Sequence, residues 1–271
     1  MMCRVLRVSR SGYYAWAGRS ESHRAGADRE LVMKIRTCHI ESRGTYGSPR
    51  MCDELRRRGE RCGENRVARL MRAHGIVGLP KRRWRSTTDS EHGQPVAPNI
   101  LNRQFAAEAP NRAWVSDLTC VWTREGWMYV ATVMDLYSRR VVGLATGASA
   151  DHWLVGRALQ MAISRRRPGP GLIFHSDQGR QYTASEIQKL LSRHQIVASM
   201  SRRGNCWDNA PAERLFATLK TELVRRRQYR TRDQATREVC EYFEHFYNQR
   251  RSHSALGYLS PAAFEARAQT H

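Results

Sequence analysis

The first third of the chain carries its apolar residues at helical spacing. Leu31, Ile35 and Cys38 fall on one helix face, and Asp28 precedes them as the expected N-cap. Helices are predicted over residues 28–42, 49–58 and 64–75. Glycines join the last two of these helices, and two short helices joined in this way predict a helix-turn-helix. We therefore expect a small all-helical domain here.

The pattern changes near residue 113 to short runs of apolar residues bounded by turn residues. Strands are predicted over residues 113–122, 127–135, 140–146, 171–176 and 196–200. Helices are predicted over residues 151–166, 185–194 and 208 to about 226. Three antiparallel strands followed by alternating helices and strands predict an α/β fold. Its mixed five-stranded sheet with flanking helices has the ribonuclease-H-like order.

Between these two regions the chain is rich in Pro, Ser, Thr, Asn and Arg, which is typical of a linker. Five segments follow from these changes in composition. They are an N-terminal basic segment (1–27), a helix-turn-helix-like DNA-binding domain (28–80), a basic linker (81–110), a catalytic core (111–226) and a C-terminal helical extension (227–271).

Charge points to a polyanionic partner. The 271 residues include 46 Lys and Arg against 25 Asp and Glu, a formal net charge of +21. Such an excess is typical of proteins that neutralise nucleic-acid phosphates. The expected DNA contacts are Arg66, Arg69 and Arg72 on the third helix and Lys81, Arg82 and Arg83 in the linker. An ordinary solvated helix face is the alternative for the three arginines.

The cysteines and the absence of a long apolar run limit the compartment. Seven cysteines are scattered and form no Cys-x-x-Cys pair, which argues against a disulfide framework or a zinc ribbon. The sequence has no signal-peptide pattern and no apolar run of about 18 residues. We expect a cytoplasmic protein that does not bind membranes.

Three carboxylates fall where this fold can bring them together. Asp117 lies within the first strand, Asp177 directly follows the fourth, and Glu213 is in the first turn of the last helix. Each has a structural alternative, such as ending a strand or suiting a helix N-terminus. Together they form an oxygen-only ligand set, which selects Mg²⁺ or Mn²⁺. Two such ions suit in-line displacement at phosphorus.

The spacing and flanking residues resemble a known family. Thirty-five residues separate Asp177 from Glu213, as in the D,D(35)E triad of the retroviral-integrase-like superfamily. The strings around residues 175–179 and 209–213, with Lys220 seven residues beyond Glu213, resemble the OrfB-type transposases of two-frame bacterial insertion sequences. Residues 38–83 and 247–261 also resemble segments of that family, so the resemblance covers nearly the whole chain.

The resemblance implies metal-dependent cleavage at transposon ends and strand transfer by a 3′-hydroxyl. It also implies a bacterial, nucleoid-associated protein. It makes Asp117, Asp177 and Glu213 the catalytic metal ligands, with two Mg²⁺ or Mn²⁺ ions. Lys220 is expected to hold a DNA phosphate, and His175 and Asn209 to lie against DNA or behind the ligands. The implied partners are transposon-end and target DNA, further copies of the chain on DNA, and an upstream-frame protein that supplies a coiled coil. No sustained heptad repeat occurs in this sequence, which suggests the downstream frame alone.

Other functions remain as alternatives at this point. A tyrosine recombinase would use Arg250, Arg251, His253 and Tyr258 and would leave the carboxylates unexplained. A non-catalytic helix-turn-helix regulator would not need the carboxylates either. A ribonuclease-H-like nuclease would use them but would form no joined products.

Overall fold

The computed structural model describes residues 8–79, 96–202 and 205–268. The chain divides into two compact units, Met1–Gly78 and Leu79–His271. Within the described residues, no helix has both the length and the apolar composition needed to cross a membrane.

The N-terminal unit is helical. Its helices are α1 (Arg10–Ala17), α2 (His23–Glu41), α3 (Ser48–Arg57) and α4 (Glu64–Ala73). The last three share one apolar core, in which Ile35, Met51, Leu55 and Val67 have no exposed surface. Because the apolar residues on each helix face inward, the helical periodicity of the sequence is explained by this core.

The beginning of α2 differs from the prediction. The helix starts five residues earlier, and Ser22 rather than Asp28 is its N-cap, accepting a hydrogen bond from the Ala25 N–H at 3.2 Å. Asp28 lies inside the helix and accepts hydrogen bonds from Arg66 and Arg69 of α4. The expected N-terminal basic segment therefore contains helical structure, because a serine was available as a cap upstream.

The C-terminal unit is built on the predicted five-stranded mixed sheet. Its strands are β1 (Ala113–Thr123), β2 (Gly126–Asp135), β3 (Val141–Gly147), β4 (Ile173–Ser176) and β5 (Val197–Met200). Their order in the sheet is β3-β2-β1-β4-β5. β1–β2 and β2–β3 are antiparallel, whereas β1–β4 and β4–β5 are parallel.

Helices cover both faces of this sheet. The helices of the C-terminal unit are α5 (His152–Arg166), the single turn α6 (Arg180–Thr183), α7 (Ser185–Arg193), α8 (Ala210–Glu222), α9 (Arg232–Glu241) and α10 (Pro261–Ala268). On one face, Trp114, Val133 and Val142 pack against α5 and α7. On the other, Val115 and Val130 pack against α8 and α9. Alternate residues of each strand thus pack into different hydrophobic cores on the two faces of the sheet.

One glycine is required where α5 crosses β3. A Cβ added to Gly143 would lie 2.1 Å from the Ala158 carbonyl oxygen. Contact this close to backbone cannot be relieved by rotating a side chain, so only glycine allows the helix to approach the strand.

The last helix of the core is shorter than predicted. A 3-10 turn, Cys206–Asn209, precedes α8, and α8 ends at Glu222 instead of continuing to residue 226. Leu223 leaves helical geometry (φ −124°, ψ −67°), and the 3-10 turn Val224–Arg226 follows. The break places Leu223 in the core beneath the sheet, because tertiary burial outweighs the continuing helical pattern.

The C-terminal segment packs into the same core. The π-helix Tyr242–Tyr247 follows α9 and contributes four buried aromatic side chains, Tyr242, Phe243, Phe246 and Tyr247. Arg251 and Glu222 form a buried ion pair whose side chains are each 7% exposed. Tyr242 Oη donates a further hydrogen bond to Glu222 Oε2 at 2.8 Å. The end of α8 is therefore held by the C-terminal segment.

Candidate active site

The parallel pairing of β1 with β4 directs Asp117 and Asp177 to the same end of the sheet. Val115 of β1 pairs with His175 of β4; Asp117 lies two residues further along β1, and Asp177 directly follows Ser176, the last residue of β4. Neighbouring strands lie about 4.8 Å apart, so equal offsets from this pair favour positions of the two aspartates near each other on one face of the sheet, and the charge of Asp177 acts on Asp117. That face is the one covered by α8, since Val115 packs in the same core as Leu215 and Phe216. The strand register thus supports the predicted convergence of the two aspartates, which stays a prediction.

Glu213 comes to this face from α8. Pro211 lies in the first turn of the helix, where its missing N–H costs no intrahelical hydrogen bond. Ala212, Leu215 and Leu219 are buried against the sheet, which fixes the helix over β1. Burial raises the pKa of Glu213.

The pKa of Asp117 responds to both other carboxylates, whereas the shift at Glu213 comes from burial. The pKa of Asp117 is well above its ordinary value because of burial and then the charge of Asp177, with Glu213 adding to the effect. The Leu118 N–H, which donates to Asp117 Oδ1 at 2.7 Å, and the charge of Lys220 act in the opposite direction. Like charges in one half-buried pocket repel each other, so the pocket favours a cation.

Two orphaned polar atoms adjoin the carboxylates. Thr132 is the direct cross-strand partner of Asp117 and is 1% exposed. Asn209 Nδ2 donates to the Ser116 carbonyl at 3.3 Å, one residue before Asp117. Within the described parts of the chain, Thr132 Oγ1 and Asn209 Oδ1 are buried and have no hydrogen-bond partner. Such atoms cost about 1–3 kcal/mol each unless a water or ligand satisfies them.

The pocket fits a hydrated divalent cation by its chemistry. Its donors are carboxylate, hydroxyl and amide oxygens, which are the ligands that Mg²⁺ and Mn²⁺ prefer. Among residues 8–79, 96–202 and 205–268, however, no three His, Cys, Asp or Glu side chains lie close enough together to hold one ion in this conformation. The three carboxylates therefore influence one another electrostatically without forming a closed coordination shell.

Tyr182 lies behind the aspartates and was not recognised from the sequence. Its Oη is 3.1 Å from Ser116 Oγ, and its side chain is 1% exposed. The pKa of Tyr182 is well above its ordinary value because of burial and the charges of Asp117 and Asp177. A neutral hydroxyl thus supports β1 at the pocket. No spacing signal in the sequence connects Tyr182 with Ser116.

The expectation that His175 contacts DNA does not agree with its position. The side chain has no exposed surface, and its Nδ1 and Nε2 lie 2.9 Å from Ser199 Oγ and 3.2 Å from Ser201 Oγ. Burial lowers the pKa of His175 to about 4, so the ring is neutral near pH 7. It joins β4 to β5, which makes it a positioning residue.

Asn209 is also buried, with 5% exposure, and its side chain donates a hydrogen bond to β1 rather than facing solvent.

Lys220 lies two turns beyond Glu213 on the same face of α8, half-buried near Asp117. Burial is the main cause that lowers the pKa of Lys220, and Asp117 opposes it. Lys220 is therefore close enough to the carboxylates to influence them electrostatically.

Asp208 is a second residue that sequence reasoning missed. It is fully buried and accepts hydrogen bonds from Asn99, Arg103 and Arg202, with Arg202 donating through Nε and Nη2 at 2.8 Å. Hydrogen bonds from Arg202 are the largest cause that holds the pKa of Asp208 well below its ordinary range. The network fixes the turn that leads into the Glu213 helix.

The N-terminal arginines have partners within their own unit. Arg66 Nε lies 2.7 Å and Arg69 Nη2 lies 2.5 Å from Asp28, while Arg72 is exposed. In this conformation Asp28 neutralises part of the predicted DNA-binding face. Lys81, Arg82 and Arg83 lie outside the described residues.

Comparison with known families assigns the class. Residues 107–206 match the family described as Integrase core domain, and residues 194–261 match a second family with that description. Residues 27–84 match an HTH-like domain. The chain is thus an integrase-core protein with an N-terminal helix-turn-helix-like domain, as the fold and carboxylate positions predicted.

Relatives define the family more closely. The chain is 46% identical over 263 residues to the Insertion element IS600 uncharacterized 31 kDa protein of Shigella sonnei, covering 97% of both chains. It is 38% identical over 266 residues to Transposase InsF for insertion sequence IS3A of Escherichia coli, covering 97% of this chain and 92% of the relative. The chain belongs to the family of insertion-sequence transposases of the OrfB type.

Among solved structures, the chain is similar to the HTLV-2 integrase catalytic core domain in complex with magnesium. The sequence identity is 16% and the TM-score is 0.47, with 59% of this chain and 99% of that chain covered.

Proposed function

We propose that this chain is a DNA transposase that cuts DNA at the ends of an insertion sequence and joins the resulting 3′-hydroxyl to target DNA. The observation that carries the proposal is the parallel pairing of β1 with β4: Asp117 and Asp177 both come two residues after the Val115–His175 pair, and α8, which carries Glu213, packs in the same core as Val115. Family membership and the net charge of +21 support the same conclusion.

In this proposal Asp117, Asp177 and Glu213 hold two Mg²⁺ or Mn²⁺ ions. When bound, the ions activate the attacking oxygen and stabilise the leaving oxygen of the phosphodiester. The raised pKa of Asp117 supports this assignment, because a cation would relieve the repulsion from Asp177 and Glu213. Side chains need to shift to complete the shell, and the orphaned Thr132 Oγ1 and Asn209 Oδ1 are suited to hold water at the site.

The residues around the carboxylates have separate tasks. Lys220 binds a DNA phosphate next to the scissile bond, which its position two turns from Glu213 supports. Asn209 and His175 position β1 and β4, since both are buried and bonded to neighbouring strands or turns. Because a ligand displaced by about 1 Å costs roughly 100-fold in rate, such positioning affects the reaction strongly.

The N-terminal unit binds DNA in the same proposal. Arg72 of α4 is exposed, and Arg66 and Arg69 need only exchange Asp28 for phosphates. Lys81, Arg82 and Arg83 extend the basic surface along the sequence. The proposal also includes a multimer on DNA and an upstream-frame partner. Light scattering of the chain with end DNA, with and without the upstream product, tests both.

The decisive experiment compares carboxamide variants with the wild-type chain. Asp117→Asn, Asp177→Asn and Glu213→Gln keep the side-chain shape and remove the charge that the metal requires. We expect each to abolish cleavage and joining of labelled end oligonucleotides in Mg²⁺ while binding DNA normally. Glu186→Gln, an exposed residue in the first turn of α7, is the matched control and should be fully active.

The same assay separates the alternatives. Joining at the wild-type rate by any of the three variants would remove that ligand assignment. Cleavage without joined products would favour a nuclease. Activity that persists in EDTA would contradict metal dependence and favour a covalent recombinase.

A further inference from the structure

We propose that Trp207 is a stacking site for an unpaired nucleobase at the end of the DNA strand that enters the carboxylate pocket. The inference rests on the proposed function, since it assigns a contact to the DNA on which that function acts. It adds a site that neither the sequence pattern nor the family comparison indicates.

Trp207 is unusually exposed for a large apolar side chain. It is 69% exposed, whereas Trp114 in β1 has no exposed surface. Tryptophan normally gains most of its stabilisation by burying its ring. An exposed ring beside a half-buried pocket is therefore suited to bind a flat apolar surface of a ligand.

The backbone that carries this ring is fixed on both sides. Asn205 Oδ1 accepts a hydrogen bond from the Trp207 N–H at 3.2 Å. Asp208, the next residue, is fully buried in hydrogen bonds from Arg103 and Arg202. A ring presented from a fixed turn loses little conformational entropy on binding, which favours recognition.

The backbone that carries the ring is also close to the carboxylates. Trp207 and Asn209 are two peptide units apart, so their Cα atoms lie within about 8 Å. Asn209 bonds the Ser116 carbonyl, directly before Asp117. A nucleotide whose phosphate lies at the carboxylates therefore places its own base, or the adjoining base, within reach of the indole.

The surrounding charge favours nucleic acid as the occupant. Arg103 and Arg202 are 45% and 51% exposed, and both pair with the single carboxylate of Asp208. Two arginine side chains paired with one aspartate leave a local net positive charge, which attracts phosphate. Stacking on an aromatic ring accepts any base, but the base must be unpaired to expose its face. This combination selects a frayed or splayed strand end.

Binding and crosslinking of the full chain test the proposal. The probe is a DNA duplex with three unpaired thymines at one end, in which 5-iodouracil replaces the middle thymine. The reference is the same duplex fully paired, and both are used in EDTA so that no cleavage occurs. We expect long-wavelength irradiation to attach the probe to Trp207. The wild type should also prefer the frayed probe, by about 5- to 150-fold in dissociation constant if one stacked base accounts for the preference.

Variants give the comparison. Trp207→Ala should lose the crosslink and the preference for frayed DNA, whereas Trp207→Phe should keep most of the preference. Trp122→Ala is the matched control, because Trp122 is 59% exposed and lies five residues along β1 from Asp117, about 17 Å away. Circular dichroism and the melting temperature must match the wild type for each variant.

Three results would overturn the proposal. They are a crosslink elsewhere, an unchanged preference in Trp207→Ala, and a change in oligomeric state in Trp207→Ala without DNA, which would assign the ring to a protein contact. Failure of the proposed function has a different signature. A wild-type chain that crosslinks through Trp207 but joins no DNA in Mg²⁺ would support the stacking site and contradict strand transfer.

Discussion

The buried pair between Glu222 and Arg251 permits a sharp prediction about the end of the Glu213 helix. Both side chains are 7% exposed, and Arg251 Nη2 donates to Glu222 Oε1 at 2.7 Å while Nε donates to Oε2 at 2.9 Å. Burial alone would lower the pKa of Arg251, but the charge and hydrogen bonds of Glu222 outweigh it, and the pKa lies above its ordinary value. Arg251 is thus charged at any working pH.

Arg251→Met should be more damaging than loss of the whole pair. Arg251→Met removes the buried guanidinium that pairs with Glu222, and loss of one partner of a buried ion pair costs about 3–5 kcal/mol. For a unit of this size, 1 kcal/mol changes the melting temperature by about 2–4 °C, so we expect a loss of roughly 6–20 °C. The double variant Glu222→Gln with Arg251→Met removes the stranded charge and keeps an acceptor for Tyr242 Oη. It should recover at least half of the loss.

Calorimetry and urea unfolding of the three proteins measure this, and the joining assay reports on the site. Because the pair anchors the helix that carries Glu213 and Lys220, joining should fall with stability in the single variant and recover in the double variant. A double variant as unstable as the single one would refute the reasoning. It would mean that packing of the arginine stem, rather than charge, supports this end of the helix.

Three further predictions concern the pocket and the DNA surface. The pKa of Asp117 is raised in the folded state, so protonation of Asp117 stabilises the metal-free fold at low pH, and this stabilisation is lost as the pH rises through the folded-state pKa. Asp117→Asn should therefore raise the melting temperature of the metal-free protein at pH 8 and reduce the increase in melting temperature that Mg²⁺ causes. An unchanged response to Mg²⁺ would contradict the ligand role. Asp208→Asn weakens the bonds from Arg103 and Arg202 and should slow joining roughly 10- to 100-fold with DNA affinity nearly unchanged; equal joining rates would show that the turn is positioned without the charge. DNA affinity should fall steeply between about 50 and 200 mM salt if six or more phosphates are bound, and a flat dependence would remove the electrostatic argument.

The sequence by itself determined the sheet and the approximate position of each carboxylate. Alternation of apolar residues in β1 and β2 and the short apolar run before Asp177 are local signals, because each strand must bury one or both faces. Parallel pairing of the later strands follows because a helix intervenes between the three antiparallel strands and the strands that come after them. The aspartates were therefore predictable as neighbours, and the family resemblance added Glu213 by its spacing.

Only the tertiary structure decided how the surrounding residues act. From the sequence, His175 is a polar residue near Asp177, but in the structure it is buried and its ring hydrogen-bonds Ser199 of β5, which links β4 to β5. Asp28 reads as a helix cap, yet Arg66 and Arg69 approach it from a helix almost 40 residues away in sequence. Asp208 with Arg103, Tyr182 with Ser116, and Glu222 with Arg251 likewise depend on partners distant along the chain. Local pattern determines which face of an element is apolar, whereas the pairing of buried polar groups is settled only when separate elements pack together.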